Sequence, residues 1–156
     1  MMRRRDREVT DLAEMTAIMD RCDAVSVAFA GETPYVIPMS FGYACEDGHV
    51  CLYLHCAGVG EKITRMQADP HAAFAMYTGT ELIEGPSACS YSTTYESVCG
   101  SGVLRRLEKE DKRAGLEAIM AHYAPEKEFS FEDRMLAAVT VLCLDVQAIS
   151  GKRRAG

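Results

Sequence analysis

Residues 50–66 (VCLYLHCAGVGEKITRM) constrain the fold most, because they join a strand to a helix through a loop with two glycines. Side chains in the first part alternate as in a strand with one buried face. One set is Val50, Leu52 and Leu54, and the other is Cys51, Tyr53 and His55. Gly58 and Gly60 permit a tight turn, and helical spacing follows. The stretch therefore predicts a strand, a glycine loop and a helix in that order.

The start of this helix is a candidate anion site. Lys62 falls in the first turn, where unpaired backbone amides carry partial positive charge. His55 lies at the end of the preceding strand. The glycine spacing matches neither a Walker A loop nor the dinucleotide-binding fingerprint. An ordinary strand–loop–helix connection with an exposed lysine is the alternative interpretation.

Further alternating segments predict a sheet. Together with residues 50–55, the predicted strands are residues 24–30, 34–44, 71–78, the second half of 87–107, and 139–146. Helices are predicted after Gly60 and at residues 11–22, 108–124 and 129–138. Asp11 with Glu14 resembles a capping box, and residues 108–113, which include Lys112, are expected to form a solvated helix start. Asp47-Gly48 is a hairpin signal, and there is no regular βαβ alternation. The chain is therefore expected to form one mainly β domain, residues 1–156, with six antiparallel strands closed or nearly closed into a barrel and three to four packed helices.

Pro38 interrupts the longest predicted strand. Because proline has no N–H to donate, this strand should lie at a sheet edge or carry a bulge. Backbone groups of Met39 and Ser40 would then be free to bind a ligand, or the proline only protects the edge. Gly100 and Gly102 predict a second bulge or a close backbone approach.

Charge and hydropathy disfavour several classes of protein. The formal net charge is −6 over 156 residues, which argues against a general nucleic-acid binder. No apolar run approaches the ~18 residues that a transmembrane helix needs. Because no export signal is recognised either, a cytoplasmic protein with no membrane partner is expected.

The seven cysteines include no CxxC pair, which predicts reduced thiols. Cys51, His55 and Cys56 are close in sequence, but positions 51 and 55 of a strand lie about 13 Å apart at ~3.3 Å per residue. They cannot share one metal ion, and positions 55 and 56 point to opposite faces. The sequence therefore predicts no metal site.

Five blocks of sequence, in this order, resemble the FMN-binding split-barrel superfamily that includes pyridoxamine 5′-phosphate oxidases. They are residues 4–9 (RRDREV), 34–43 (PYVIPMSFGY), 52–57 (LYLHCA) with Gly60 and Lys62, 95–98 (YESV) with Gly100 and Gly102, and 149–152 (ISGK). Within the superfamily, the chain is most similar to the 5-nitroimidazole-resistance (Nim-type) flavoproteins. The predicted barrel is accordingly expected to be a split barrel.

This resemblance implies non-covalently bound FMN near the interface of a homodimer. The residues implied to contact the cofactor are Pro38, Met39, Ser40, His55, Cys56, Lys62, Tyr95 and Ser97. The phosphate would meet His55, Cys56 and Lys62, and the isoalloxazine edge would meet the backbone of residues 38–40. Tyr95 and Ser97 would lie near the site, from either subunit. His55 matches the strand-end histidine tied to the active site in the Nim-type branch, so it is the candidate catalytic residue.

Two departures from the superfamily bear on function. Cys56 stands where relatives often have Ser or Thr, so a weak thiol donor replaces a hydroxyl. The chain ends in GKRRAG and lacks the C-terminal Arg/His substrate motif of the vitamin-B6 oxidases, which argues against pyridoxamine phosphate oxidation.

The leading functional hypothesis is an FMN-dependent reductase of nitroaromatic or other small electron-poor molecules, with His55 as proton donor or orienting group. The alternative is a flavin or other cofactor carrier or sensor without turnover, because no nicotinamide-binding motif is recognisable. A split barrel that binds haem or a deazaflavin, and a cysteine enzyme built on Cys56, are weaker alternatives.

Overall fold

The computed structural model describes residues 4–156. The strands are β1 (Glu8–Val9), β2 (Val25–Phe29), β3 (Tyr35–Met39), β4 (Phe41–Glu46), β5 (His49–Cys56), β6 (His71–Thr78), β7 (Leu82–Ile83), β8 (Ser92–Thr93), β9 (Tyr95–Arg106) and β10 (Thr140–Arg154). The helices are α1 (Leu12–Met19), α2 (Glu61–Ala68), α3 (Lys109–Tyr123) and α4 (Asp133–Ala138). Short 3₁₀ turns lie at Arg5–Arg7 and Ala88–Ser90. The predicted domain also includes residues 1–3, which lie outside the described residues.

The main sheet is antiparallel, with the strand order β3–β2–β6–β9–β10–β5–β4 and β1 paired to β10. The strands at the two ends of this order, β3 and β4, are consecutive in sequence, and only Ser40 separates them. The sheet must therefore curl until its ends meet, which makes a barrel with a split between them. Counted as one strand bent at Ser40, β3 and β4 bring the barrel to six strands, so the predicted fold class is confirmed.

The two predicted irregularities are present. Pro38 lies in β3, the edge strand of the hydrogen-bonded order. The register of β9 and β10 shifts between Val146 and Ala148, opposite Gly100 and Gly102. A Cβ on either glycine would collide with a backbone carbonyl of β10, so the close approach of the two strands requires glycine at both positions.

Turn and helix signals in the sequence are also largely confirmed. Asp47 and Gly48 have φ values of 51° and 81°, which suits the two-residue hairpin between β4 and β5. Asp11 caps α1, because its Oδ1 accepts from the Ala13 N–H at 2.8 Å. The predicted capping-box partner Glu14 instead pairs with Arg153, at 2.9 Å.

Both strands and helices contribute side chains to the core of the barrel. β5 contributes Val50, Leu52 and Leu54, as its alternation predicts, and all three are buried. Helix α1 adds Met15, Ile18 and Met19 to the same core, and α2 adds Ile63. Helix α3 packs outside the barrel on β4, β5 and β10. A smaller cluster under α3 contains Leu107, Val141 and Cys143. Burial of these apolar surfaces is what holds the helices to the sheet.

Two segments differ from the sequence expectation. β10 continues to Arg154 rather than ending at residue 146, because its bulge lets it stay paired with β9 past the predicted end. Lys112, expected in a solvated helix start, is buried with Gly115 and Ile119. Positions 112, 115 and 119 follow helical spacing and face the sheet, so the lysine lies on the inward stripe.

Among residues 4–156, no helix combines the length and the apolar character needed to cross a membrane.

Candidate functional site

The end of β5 presents His55 and Cys56 on opposite faces. Residues Val50, Leu52 and Leu54 point into the barrel, and Cys56 follows them and packs partly against the same core. His55 follows Cys51 and Tyr53 on the outer face and is exposed. A strand's period of two imposes this separation. The two side chains therefore cannot touch the same atom of one ligand from the same side.

Cys56 lies beside two cations. Burial raises the pKa of the Cys56 thiol, while the positive charges of Lys62 and Arg106 partly offset that increase. Arg106 reaches this end because it pairs with Leu142 on β10, next to the pairing of Thr140 with Cys56. Lys62 has no salt-bridge partner within residues 4–156, whereas Arg106 contacts Glu108 at 3.2 Å. The inner face of the barrel end is thus a cationic pocket, defined by Cys56, Lys62 and Arg106.

The start of α2 suits an anion in this pocket. Gly60 precedes the helix with φ 121°, a conformation that L-residues rarely adopt, and the helix start has no side-chain cap. The helix is fixed at its other end by Arg65, which donates to the Thr33 carbonyl at 2.6 Å and lies 5.0 Å from the centre of the Tyr35 ring. The first-turn amides therefore have a defined position beside Lys62.

The break between β3 and β4 brings residues 38–40 to the end of β5. Phe41 of β4 pairs with Leu54 of β5 in an antiparallel register. The preceding residue, Ser40, therefore lies opposite the following residue of β5, His55. Both are exposed. Met39 points into the core and is 9% exposed, so only its backbone can meet a ligand. The structure therefore places the predicted ring-contacting segment next to the candidate catalytic histidine.

Helix α3 braces this break, which sequence reasoning missed. The Tyr123 hydroxyl accepts from the Phe41 N–H at 3.1 Å and donates to the Asp23 carbonyl at 2.8 Å. The neighbouring His122 ring lies 4.3 Å from the Phe41 ring. The Phe41 amide is accordingly occupied. The only sequence signal for this brace is an aromatic pair at the end of a helix, which does not identify its partner.

Five strands of the sheet share an outer face of small side chains, here called the open face. Its two best-defined rows, from β3 to β10, are Val36–Ala28–Ala73–Ser101–Ala148 and Pro38–Ser26–Ala75–Cys99–Ser150. Most of these side chains are exposed, Val36 by 65%. A groove of about 390 Å³ crosses the face beside Ala73 and Ser101. A wide, flat, mostly apolar surface of this kind is typical of an interface.

Tyr95 and Ser97 lie on the open face but away from Pro38. The Pro38 row meets β9 at Cys99, three strands away, which is about 14 Å at ~4.8 Å per strand. Ser97 is two residues further along β9. Within one chain, the structure thus groups Pro38, Ser40 and His55, and separates them from Tyr95 and Ser97.

Ion pairs fix the part of β9 that carries these two residues. Glu96 contacts Arg21 and Arg153, each at 2.7 Å, and Tyr95 stacks on Tyr77 with ring centres 5.9 Å apart. Burial acts to raise the pKa of Glu96, but the two arginines outweigh it and hold the pKa below its ordinary value. Tyr95 and Ser97 are therefore presented on an anchored strand.

The family of the chain follows from comparison with known proteins. A family model described as pyridoxamine 5′-phosphate oxidase matches residues 11–153. The chain belongs to the pyridoxamine 5′-phosphate oxidase family. This membership confirms the resemblance that the sequence blocks predict. None of the curated proteins matches the chain significantly.

Solved structures agree with this family. A proposed 5-nitroimidazole antibiotic resistance protein from Bacteroides thetaiotaomicron is 32% identical, with a TM-score of 0.81 over 94% of this chain and 86% of that one. A FAD and heme binding protein from Mycobacterium smegmatis has a TM-score of 0.83 at 20% identity, over 96% of this chain and 74% of that one. A flavocytochrome from Azotobacter vinelandii has a TM-score of 0.81 at 20% identity, over 100% and 73%. The last two show the shared fold alone.

Proposed function

We propose that this member of the pyridoxamine 5′-phosphate oxidase family is a homodimeric FMN-binding reductase of nitroaromatic or other small electron-poor molecules. The observation that carries the proposal is the cationic pocket of Cys56, Lys62 and Arg106, next to a helix start without a side-chain cap. A phosphate group is the ligand such a pocket suits. The 32% identity to a proposed nitroimidazole resistance protein supports the substrate class.

The residues present fit FMN in separate roles. Lys62, Arg106 and the first amides of α2 would hold the phosphate, while the neutral Cys56 thiol would add only a weak donor. Backbone groups near Ser40 would meet the ring edge, close to His55. Bound FMN would supply two-electron transfer between a reductant and the substrate. His55, exposed on the outer face, would donate a proton to the substrate or orient it.

The open face supports a dimer in which the partner completes the site. Tyr95 and Ser97 lie three strands from the Pro38 edge in one chain, so a second copy packed on the open face would bring its own pair to the first chain's Pro38 and Ser40. The small side chains of this face permit close packing of two sheets.

The absorption spectrum of the purified full-length chain tests the cofactor. We expect a flavin spectrum, and mass analysis after heat release should identify FMN at about one per chain. K62A should weaken FMN binding at least tenfold, the effect of losing one charge-assisted contact of about 1.5–3 kcal/mol. K127A, which removes an exposed lysine near the C-terminal end of α3, is the matched control and should bind normally. A colourless protein that takes up no FMN would refute the cofactor assignment.

The dimer needs its own test. Ala75 lies at the centre of the open face, and A75R should convert a dimer to a monomer in light scattering and lower FMN occupancy. A114R places the same side chain at an exposed position of α3 and should leave the dimer intact. If A75R remains a dimer, the interface lies elsewhere. FMN binding without reduction of nitroaromatic substrates would favour the cofactor carrier over the reductase.

A further inference from the structure

Two short patterns place metal-ligand types on neighbouring strands. His49 and Cys51 are two residues apart on β5, and Cys143 and Asp145 are two residues apart on β10. Since a strand has a period of two, each pair lies on one face. We call these four residues the β5–β10 cluster. It lies on the outer face of the barrel, away from the cationic pocket.

The register of the two strands brings the pairs together. Cys51 lies directly opposite Asp145, and Cys143 is two residues before Asp145, diagonal to Cys51. The ligand atoms of His49, Cys51 and Asp145 all lie within 4.8 Å of one another. Three side chains with nitrogen, sulfur and oxygen donors thus converge, and Cys143 lies diagonal to Cys51 beside them.

One atom of the cluster lacks the partner that its burial requires. Asp145 Oδ1 is buried and lies 2.5 Å from His49 Nε2, yet no hydrogen bond of acceptable geometry reaches it from residues 4–156. A buried carboxylate oxygen without a hydrogen bond is costly unless an ion satisfies it. This oxygen lies within 4.8 Å of the donor atoms of His49 and Cys51, so an ion bound by those two residues could also satisfy it.

We propose that the β5–β10 cluster binds a zinc ion through His49, Cys51, Asp145 and Cys143. Tetrahedral sites of imidazole, thiolate and carboxylate ligands suit Zn²⁺, and mixed sulfur and nitrogen ligands disfavour Mg²⁺ and Ca²⁺. The His49 and Asp145 side chains are 54% and 43% exposed, so an ion can enter from solvent, while Cys143 is fully buried. The ion would tie β5 to β10.

The strand spacing excludes Cys51 from sharing an ion with His55 or Cys56. The β5–β10 cluster includes neither of those two residues. Cys51 is joined there by His49, on the same strand, and by residues of β10, which is distant in sequence but adjacent in the sheet. The proposal is independent of flavin binding, because none of its four residues lies in the cationic pocket or on the open face.

Titration of the reduced full-length protein with Zn²⁺, in competition with a chromophoric chelator, tests the site. We expect one tightly bound ion per chain and at least a tenfold loss of affinity in H49A, C51S and D145N, because each removes a donor. Controls are C89S, an exposed cysteine, and H71A, which removes a histidine paired with Asp69 at 2.7 Å without a nearby thiol. Both should bind like the wild type.

Co²⁺ substitution tests the thiolates directly. The near-ultraviolet sulfur-to-cobalt band should fall by about half in C51S and in C143S, since two thiolates are expected in the site. H49A alters an exposed side chain and should fold, so it remains informative if a cysteine variant does not. Weak binding at several sites, or equal affinity in H49A and wild type, would overturn the proposal. A Cys51–Cys143 disulfide in protein that takes up no zinc would also overturn it.

Discussion

Replacing Glu96 by glutamine should destabilise the fold, because this carboxylate joins three parts of the chain. Its two oxygens each lie 2.7 Å from an arginine, Arg21 after α1 and Arg153 near the end of β10. Arg153 also contacts Glu14 on α1, at 2.9 Å. The network therefore anchors the end of β9 that carries Tyr95 and Ser97. Glutamine keeps the shape of the side chain but removes its charge.

The magnitude follows from burial. The Glu96 side chain is only 18% exposed, so its bonds to cations are stronger than those of a surface pair, which contributes about 0.2–1 kcal/mol. Hydrogen bonds to charged groups contribute about 1.5–3 kcal/mol. The two arginines are 49% and 39% exposed and can recover water, which reduces the loss. We expect E96Q to lower the free energy of unfolding by about 1–2 kcal/mol and Tm by roughly 2–8 °C.

The pH dependence has a definite sign. The arginines hold the pKa of folded Glu96 below its ordinary value of 4.5, so the carboxylate is favoured in the folded state. Its stabilisation is fully present above the pKa of the unfolded chain and is lost as pH falls through the folded pKa. The difference in stability between wild type and E96Q should therefore be constant near neutral pH and shrink below about pH 4.5.

Urea unfolding of both proteins between pH 3 and pH 7 measures this difference. E84Q, which removes an exposed carboxylate with no ion pair among residues 4–156, is the matched control and should change stability little. Equal stability of E96Q and wild type at neutral pH would refute the reasoning. A deficit that persists unchanged at pH 3 would show that the loss does not come from the charge.

Two further substitutions test the packing of α3 on the barrel. G42A should lower the free energy of unfolding by about 1–3 kcal/mol, because a Cβ there would collide with the Ala118 backbone; urea unfolding that matches wild type would contradict this. Y123F should cost about 1–2 kcal/mol by leaving the Phe41 N–H without its acceptor, while Y91F, at an exposed loop position, should have no measurable effect.

The sequence predicts features that depend on local periodicity. The alternation of β5, the helix after Gly60, the Asp47-Gly48 hairpin and the edge position of Pro38 all follow from rules that act over a few residues, and the structure bears them out. The barrel class follows from the count of strands and hairpins. The prediction of a solvated Lys112 is wrong. Its residue type favours exposure, but the helical spacing places it on the side of α3 that packs on the sheet.

Features that depend on pairing between distant segments could not be predicted. Arg106 joins the cationic pocket only because β9 and β5 both pair with β10. The β5–β10 cluster needs the register that sets Cys51 opposite Asp145. The meeting of Ser40 with His55 needs closure of the barrel. In each case the sequence contains the residues, and the pairing that joins them is a long-range property of the sheet.

Cys56 and His55 are adjacent in sequence, but their geometry disfavours a cysteine nucleophile and suits a binding site. A cysteine nucleophile needs a thiolate and a base within hydrogen-bond reach. Here the two side chains leave β5 on opposite faces, and burial raises the pKa of Cys56, so that the neutral thiol is favoured. A neutral thiol beside Lys62 does not compete for the positive charge of that lysine, which has no salt-bridge partner within residues 4–156. His55 is exposed on the other face, opposite Ser40.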